Sequence, residues 1–179
     1  MRKLTTPEIQ RLTVEEFRNA DKLPLVVVLD DVRSMYNVGS VFRTCDAFRI
    51  EELCLCGITG TPPHAEIHKT ALGAEESVAW AHYPTALEAV RKLQERGFVV
   101  YAVEQAEGST MLQNLMKQDA PMAVVFGNEV KGVHQNVVDA CDGCIEIPQF
   151  GTKHSLNVSV TAGMVIWELA RKTIAPDQD

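Results

Sequence analysis

Short apolar segments alternate with amphipathic segments along most of the chain. Six apolar segments have the length and the β-branched content of strands, and they span residues 25–29, 52–56, 77–82, 98–103, 122–126 and 144–147. The segments that begin at Leu25, Phe98 and Met122 are apolar throughout, as strands buried on both faces of a sheet are. The pattern therefore predicts a mainly parallel sheet.

The segments between the predicted strands have the apolar spacing of helices. The predicted helices span residues 39–48, 66–72, 85–96, 133–141 and 157–173. Regular alternation of strands and helices is typical of a doubly wound α/β fold, and residues 23–175 are predicted to form one such domain. Residues 1–22 are predicted to be a helical leader, with a helix that begins near Val14 because Thr13 and Glu16 have capping-box spacing. Residues 176–179 are predicted to be a tail.

The last predicted helix is apolar on more than one face. Its apolar side chains include Val160, Met164, Val165 and Trp167, which do not fall on a single stripe. One face of a sheet cannot bury all of them, and a terminal helix of a small domain is rarely central. The pattern therefore predicts a homodimer formed through this helix.

Composition and charge narrow the class of protein. The chain has 179 residues, 46% of them hydrophobic and 23% charged, as is usual for a globular domain. Its net charge of −7 argues against a nonspecific nucleic-acid coat protein, so any contact with nucleic acid must be local. No apolar run approaches the roughly 20 residues of a membrane helix, and the first residues lack the apolar stretch of a signal peptide. Five cysteines without an export signal are expected to be reduced thiols, which predicts a cytoplasmic protein.

Polar loops follow three of the predicted strands, at the carboxyl ends where α/β folds bind ligands. The first loop contains Asn37 and Gly39 and leads into a helix that carries Arg43. The second contains Gly127 and Glu129, and it lacks the Gly-Lys-Ser/Thr sequence of a Walker loop, which disfavours ATP hydrolysis. Glycines at this position let backbone amides approach a ligand closely, so both loops are predicted to line a ligand site.

The third loop precedes the last helix and is unusually polar. Lys153, His154, Ser155 and Asn157 all lie within it or at the start of the helix. Ser155 is a candidate N-cap of the helix, but capping does not require the remaining polar groups. We therefore expect these side chains and the free helix amides to bind a ligand.

These three loops together resemble a known family. The motifs are Asn-x-Gly-x-x-x-Arg at residues 37–43, Phe-Gly-Asn-Glu-x-x-Gly at 126–132, and Ile-Pro-x-x-Gly-x-x-x-Ser-Leu-Asn-Val-Ser at 147–159. They resemble the signature motifs of SpoU-like (TrmH-type) RNA 2′-O-ribose methyltransferases in the SPOUT superfamily, and residues 68–75 resemble a further segment of that family. The resemblance covers residues 25–171. One departure is Gln149, where the family usually has Met.

The resemblance implies a fold, a cofactor and a set of site residues. The fold would be an α/β domain with a trefoil knot near the carboxyl end, and the protein a homodimer that binds S-adenosylmethionine and methylates a ribose 2′-hydroxyl of tRNA or rRNA. The residues that would bind the cofactor are Val103, Gly127, Ile147, Ser155 and Leu156. The residues that would serve catalysis are Asn37, Arg43, Glu129, Ser155 and Asn157.

The role of Arg43 has two interpretations. The family resemblance makes it the candidate base, whereas a guanidinium stays protonated in proteins and its planar fork of donors suits a phosphate. The residues leave base and phosphate anchor open. RNA is expected to contact basic side chains near the loops, namely Arg33, Arg43, Lys69 and Lys153.

Other functions fit only parts of the pattern. A non-catalytic RNA-binding module of the same fold is the main alternative, although all five catalytic residues are present. A serine hydrolase that uses Ser155 and His154 is disfavoured because no Gly-x-Ser-x-Gly motif occurs. Three pairs have tolerable zinc-ligand spacing, but buried thiols are common in cores, so no metal is expected. The pairs are Cys54 with Cys56, Cys141 with Cys144, and His64 with His68.

Overall fold

A seven-stranded sheet forms the centre of the computed structural model, which describes residues 1–5, 8–116 and 118–174. The strands are β1 (Leu23–Asp30), β2 (Ile50–Cys56), β3 (Trp80–Tyr83), β4 (Val99–Val103), β5 (Thr110–Met111), β6 (Met122–Phe126) and β7 (Gly143–Glu146). Their order is β3-β2-β1-β6-β4-β7-β5, and every neighbouring pair is parallel. The predicted parallel sheet is thus confirmed, and the carboxyl ends of the strands share one edge.

Helices pack on both faces of the sheet. They are α1 (Val14–Asn19), α2 (Met35–Ala47), α3 (Ala65–Ala71), α4 (Ala74–Ser77), α5 (Ala86–Glu95), α6 (Gln135–Val138) and α7 (Val158–Ile174), with a 3₁₀ turn at Leu112–Asn114. Thr13 and Glu16 form the predicted capping box of α1, in which each side chain binds the other residue's backbone N–H. None of the described helices is long and apolar enough to cross a membrane.

The central strands bury alternate side chains in two separate cores. On one face, Val27 and Leu29 of β1 pack with residues of α2 and α7, among them Phe42 and Ile166. On the other face, Val26 and Val28 join a cluster that contains the apolar residues of α5. All of these side chains are fully buried, which explains why β1 is apolar at consecutive positions rather than at alternate ones.

Several predicted boundaries of helices and strands were wrong. The strand predicted at 77–82 is β3, which begins only at Trp80, because Ser77 ends α4 and donates a hydrogen bond to Asp46 Oδ1 at 2.6 Å. The helix predicted at 133–141 is limited to α6. Helix α2 begins at Met35 rather than at Gly39, since Ser34 caps it by accepting the N–H of Asn37. The sequence pattern missed α4 and the two-residue strand β5.

Three further predictions concern the leader, the tail and the trefoil knot. Within the predicted leader, residues 14–19 are helical, and Phe17 of α1 is buried against the domain. The predicted tail, residues 176–179, lies outside the described residues. The trefoil knot stays a prediction.

Candidate active site

Loops at the carboxyl edge of the sheet enclose a cavity of about 510 Å³. The loops that follow β4, β6 and β7 form its walls, and the first turn of α7 closes one side. All five residues predicted to bind the cofactor line this cavity: Val103, Gly127, Ile147, Ser155 and Leu156. Gln149, the departure from the family motif, lines it as well. The structure therefore brings these residues to one cavity, whereas their role in binding stays a prediction.

The loop that follows β6, residues 127–132, is a tight hairpin of backbone. The N–H of Asn128 donates to the carbonyl of Gly132 at 3.1 Å, and the N–H of Gly132 donates to the carbonyl of Asn128 at 2.9 Å. The buried Asn128 side chain accepts the N–H groups of Val130 and Lys131. At Gly127, an added Cβ would lie 1.9 Å from the carbonyl carbon of Gly132. Only glycine fits there, because the contact is with backbone that cannot rotate away.

Glu129 joins this loop to the start of α2. Its carboxylate accepts the N–H of Arg33 at 3.1 Å, the N–H of Ser34 at 3.2 Å and the Nδ2 group of Asn37 at 3.0 Å. Burial raises the pKa of Glu129, but the hydrogen bonds from Asn37 and from backbone N–H groups outweigh it and hold the pKa below its usual range. Glu129 is therefore an ionised acceptor at neutral pH.

Asn157 joins the same cluster to the start of α7. Its Oδ1 accepts the N–H groups of Ser159 at 2.9 Å and Val160 at 3.3 Å, so Asn157 caps the helix. The cap predicted at Ser155 was wrong, and Ser155 instead lies exposed at the cavity. The amide of Asn157 donates to Asn37 Oδ1 at 3.1 Å.

Hydrogen bonds thus connect α7 to Glu129 through two amides. Because Asn157 Oδ1 faces the helix amides, its Nδ2 group must point to Asn37, and Asn37 Nδ2 must then point to Glu129. Ser159 strengthens this orientation by donating to Asn157 Oδ1 at 2.6 Å. Ser159 is the last residue of the third motif, but it was not among the residues predicted to serve catalysis. The fixed amides form a preorganised polar surface where Glu129 and Asn157 line the cavity.

Arg43 lies apart from this cluster within the single chain. It is exposed on α2 and, with Lys69 and Phe48, lines a second concavity of about 490 Å³. The structure therefore brings Asn37, Glu129 and Asn157 together but does not place Arg43 with them. Of the other residues predicted to contact RNA, Arg33 and Lys153 are also exposed.

An apolar surface lies beside the concavity of Arg43. Val160, Met164 and Trp167 of α7 are 49%, 44% and 54% exposed. The ring of Trp167 lies against Phe48, with ring centroids 5.8 Å apart. We call these four residues the α7 face. Large apolar side chains grouped on one surface mark an interaction site.

Three of the five cysteines, Cys45, Cys54 and Cys56, are core residues, whereas Cys141 and Cys144 are half-buried. Cys54 and Cys56 are buried, and burial raises the pKa of the Cys54 thiol to about 12. Burial also raises the pKa of Cys141 to about 12. In the described part of the chain, the one group of three possible metal ligands contains Asp30, Asp31 and His134, and it includes none of the three pairs weighed for zinc.

Comparison with known proteins identifies the family. Residues 24–167 match the SpoU rRNA Methylase family model, which covers most of the chain. The chain belongs to this family. The resemblance drawn from the three motifs is confirmed, and so is the fold class.

Individual family members give the degree of similarity. A tRNA (guanosine(18)-2′-O)-methyltransferase from Thermus thermophilus is 34% identical over 93% of this chain and 84% of its own length. The crystal structure of a TrmH/SpoU tRNA modifying enzyme from A. aeolicus has a TM-score of 0.79 at 26% identity, over 90% of this chain and 82% of its own. The AdoMet-bound rRNA methyltransferase from Sinorhizobium meliloti also has a TM-score of 0.79 at 26% identity. The match covers 89% of this chain but only 61% of that one.

Proposed function

We propose that this protein transfers a methyl group from S-adenosylmethionine to a ribose 2′-hydroxyl of tRNA or rRNA. The observation that carries the proposal is the Glu129–Asn37–Asn157 cluster, because its Glu129 and Asn157 line the cavity that the loops after β4, β6 and β7 form. The relatives support it, because their descriptions name tRNA and rRNA methylation and a bound AdoMet.

The cavity suits S-adenosylmethionine in size and in lining. Its volume of about 510 Å³ is typical of cofactor sites, and Val103, Ile147 and Leu156 give it apolar walls. Gly127 has no side chain, so a ligand in the cavity can closely approach the backbone at this position. We propose that these residues and Ser155 hold the cofactor, which supplies an electrophilic methyl group on a sulfonium.

The remaining residues would position the RNA ribose. The amides of Asn37 and Asn157 and the carboxylate of Glu129 offer fixed donors and acceptors to the ribose hydroxyls. We assign Arg43 to the phosphate next to the target ribose, because an exposed guanidinium binds a phosphate better than it removes a proton. A phosphate oxygen held there is then the group that accepts the proton of the 2′-hydroxyl. Arg33, Lys69 and Lys153 would bind neighbouring phosphates.

The proposed site requires a second copy of the chain. Arg43 is separate from the cavity in one chain, and its concavity adjoins the α7 face through Phe48. A homodimer formed through the α7 face would cover this apolar surface and bring Arg43 to the site of the partner subunit. The trefoil knot and a cytoplasmic location belong to the same proposal, supported by the family resemblance and by the expectation of reduced cysteines.

A Trp167→Glu variant is expected to dissociate the dimer. A buried carboxylate without a partner in the interface costs several kcal/mol, so sedimentation at micromolar concentration should show monomers and RNA methylation should be lost. Trp80→Glu is the matched control, since Trp80 lies exposed on the edge strand β3, away from α7. A parental protein that sediments as a monomer while methylating RNA would contradict the dimer.

The decisive experiment measures cofactor binding and the transfer of labelled methyl groups to RNA. Purified protein treated with EDTA should bind S-adenosylmethionine in calorimetry and transfer labelled methyl groups to bulk tRNA or rRNA, with 2′-O-methylnucleosides as the product after digestion. RNA binding without methyl transfer would support the non-catalytic module instead. If no heat of binding appears at millimolar cofactor, the assignment of the cavity is wrong.

A further inference from the structure

Carboxylates from two neighbouring strands hold the chain where it leaves the loop at residues 127–132. Strand β6, which leads into the loop, lies between β1 and β4 in the sheet. Asp30 ends β1, and its Oδ2 accepts the N–H of His134 at 3.1 Å. Glu104 follows β4, and its Oε2 accepts the N–H of Val133 at 3.0 Å. Two consecutive backbone N–H groups are therefore bound from the two sides of β6.

The imidazole of His134 adds a second bond to the Asp30 side of this arrangement. Its Nδ1 lies 2.9 Å from the same Asp30 Oδ2, and Nδ1–H is the donor because the carboxylate can only accept. Asp30 is only 3% exposed, and a buried carboxylate is costly unless hydrogen bonds satisfy it. The other ring nitrogen, Nε2, faces Asp31 Oδ2 at 3.8 Å. Asp31 is fixed in turn, because its Oδ1 accepts the N–H of Ile58 at 2.9 Å.

Neither Asp30 nor His134 lines the cavity, but the loop that they hold does. The loop has little freedom to absorb a shift, since Gly127 lies too close to Gly132 and Val133 to admit even a Cβ. A displacement of Val133 and His134 would therefore move Gly132 and, through its paired hydrogen bonds, Asn128. Any such movement changes the shape of the cavity wall.

We propose that His134 and Asp30 are positioning residues that hold the loop at 127–132 in the shape that binds S-adenosylmethionine. This inference rests on the proposed function, because it takes the cavity to be the cofactor site. Both residues act through the loop and not by touching the cofactor or the RNA.

A His134→Ala variant tests the inference through the separation of KM and kcat. The loss of a hydrogen bond to a charged group should raise the KM for S-adenosylmethionine roughly five- to tenfold. The kcat and the KM for RNA should stay within about twofold, because Glu129 is also held by its hydrogen bonds to the start of α2 and the basic side chains lie outside the loop. His134→Asn should restore most of the affinity, since its side-chain amide supplies a donor close to the position of Nδ1. Asp30→Ala should weaken binding in the same way, because it removes the one oxygen that accepts both hydrogen bonds from His134.

His82→Ala is the matched control. It also removes an imidazole that binds a fixed group, the carbonyl of Gly57 at 3.0 Å, but it lies on the edge strand β3. Its KM for the cofactor should equal that of the parental protein. An unchanged cofactor KM in folded His134→Ala or Asp30→Ala protein overturns the inference, as does an equal rise in His82→Ala. Failure of the parental protein to bind S-adenosylmethionine overturns the proposed function itself, and this is measured before any variant.

Discussion

An Arg43→Ala variant is expected to lose RNA methylation by about a hundredfold or more while it binds S-adenosylmethionine within a few fold of the parental protein. The loss follows from the anchoring role, because a misplaced ribose cannot approach the methyl group in line. The cofactor affinity is retained since Arg43 does not line the cavity. Single-turnover methylation and calorimetry on the same preparation measure the two quantities.

The Arg43→Lys variant distinguishes a role of the positive charge from a role of the guanidinium geometry. Lysine keeps the positive charge but loses the planar fork that binds two phosphate oxygens. A role through charge alone predicts substantial activity, whereas a geometric anchor predicts a loss close to that of alanine. Methylation by Arg43→Ala at the parental rate would exclude Arg43 from catalysis and would place the site elsewhere.

Mixed dimers test whether Arg43 acts in the partner subunit. Arg43→Ala chains have an intact cavity, and Gly127→Ala chains have an intact Arg43, so each homodimer should be inactive. Random association of equal amounts makes about half of the dimers mixed, each with one complete site if Arg43 acts across the interface. The mixture should then recover about a quarter of the parental activity. If Arg43 acts within its own chain, neither site is complete and no activity returns.

A Gly127→Ala variant is expected to weaken S-adenosylmethionine binding by a hundredfold or more. The new Cβ would lie about 2 Å from the carbonyl carbon of Gly132 and the nitrogen of Val133. Both are backbone atoms, so the hairpin must open, and the wall of the cavity moves with it. RNA affinity should change little, because the exposed basic side chains stay in place. Calorimetry with cofactor and filter binding with RNA give the two values.

Gly163→Ala is the control for the added methyl group. An added Cβ at Gly163 meets no atom within 4 Å, and alanine is favoured over glycine inside a helix by about 1 kcal/mol. Cofactor affinity should therefore be unchanged in this variant. Normal cofactor binding by Gly127→Ala would show that the backbone approach at residues 127–133 is not part of the cofactor site.

Local patterns predicted the sheet and two of the cavity loops, those after β6 and β7, whereas the loop after β1 was wrongly expected to line the cavity. The apolar runs of β1 and β6 record burial on both faces, whereas β4 is half-buried on one face. The polar loops after β1, β6 and β7 follow the carboxyl edge of the sheet because the strands are parallel. Boundaries failed where side chains from distant segments decide them. Ser77 ends α4 beside Asp46, which is 31 positions away in sequence, and no window of neighbouring residues shows that contact.

The sequence predicted which residues belong to the site but not how they are arranged in space. The motifs brought Asn37, Glu129 and Asn157 into one list, but their hydrogen bonds join positions 92 and 120 residues apart. Their geometry depends on how α2, β6 and α7 pack. The separation of Arg43 from this cluster has the same origin, since the face of α2 that meets the sheet decides which side chains remain outside. The hydrogen bond from His134 to Asp30 joins residues 104 positions apart, and no local sequence pattern predicts it.

The Asn37–Asn157 hydrogen bond also makes cofactor binding a property of the whole domain. It joins the second helix of the chain to the last, whose first turn lines the cavity, so the shape of the cavity depends on segments 120 residues apart. A ligand that binds only the folded domain stabilises all of it by mass action, by about 2.7 kcal/mol when its concentration is a hundred times Kd. S-adenosylmethionine should then raise the melting temperature of the protein in a single cooperative transition, and it should slow hydrogen exchange in α2 and α7 alike. In a cell, the supply of the cofactor would lower the small fraction of the protein that is unfolded at any time.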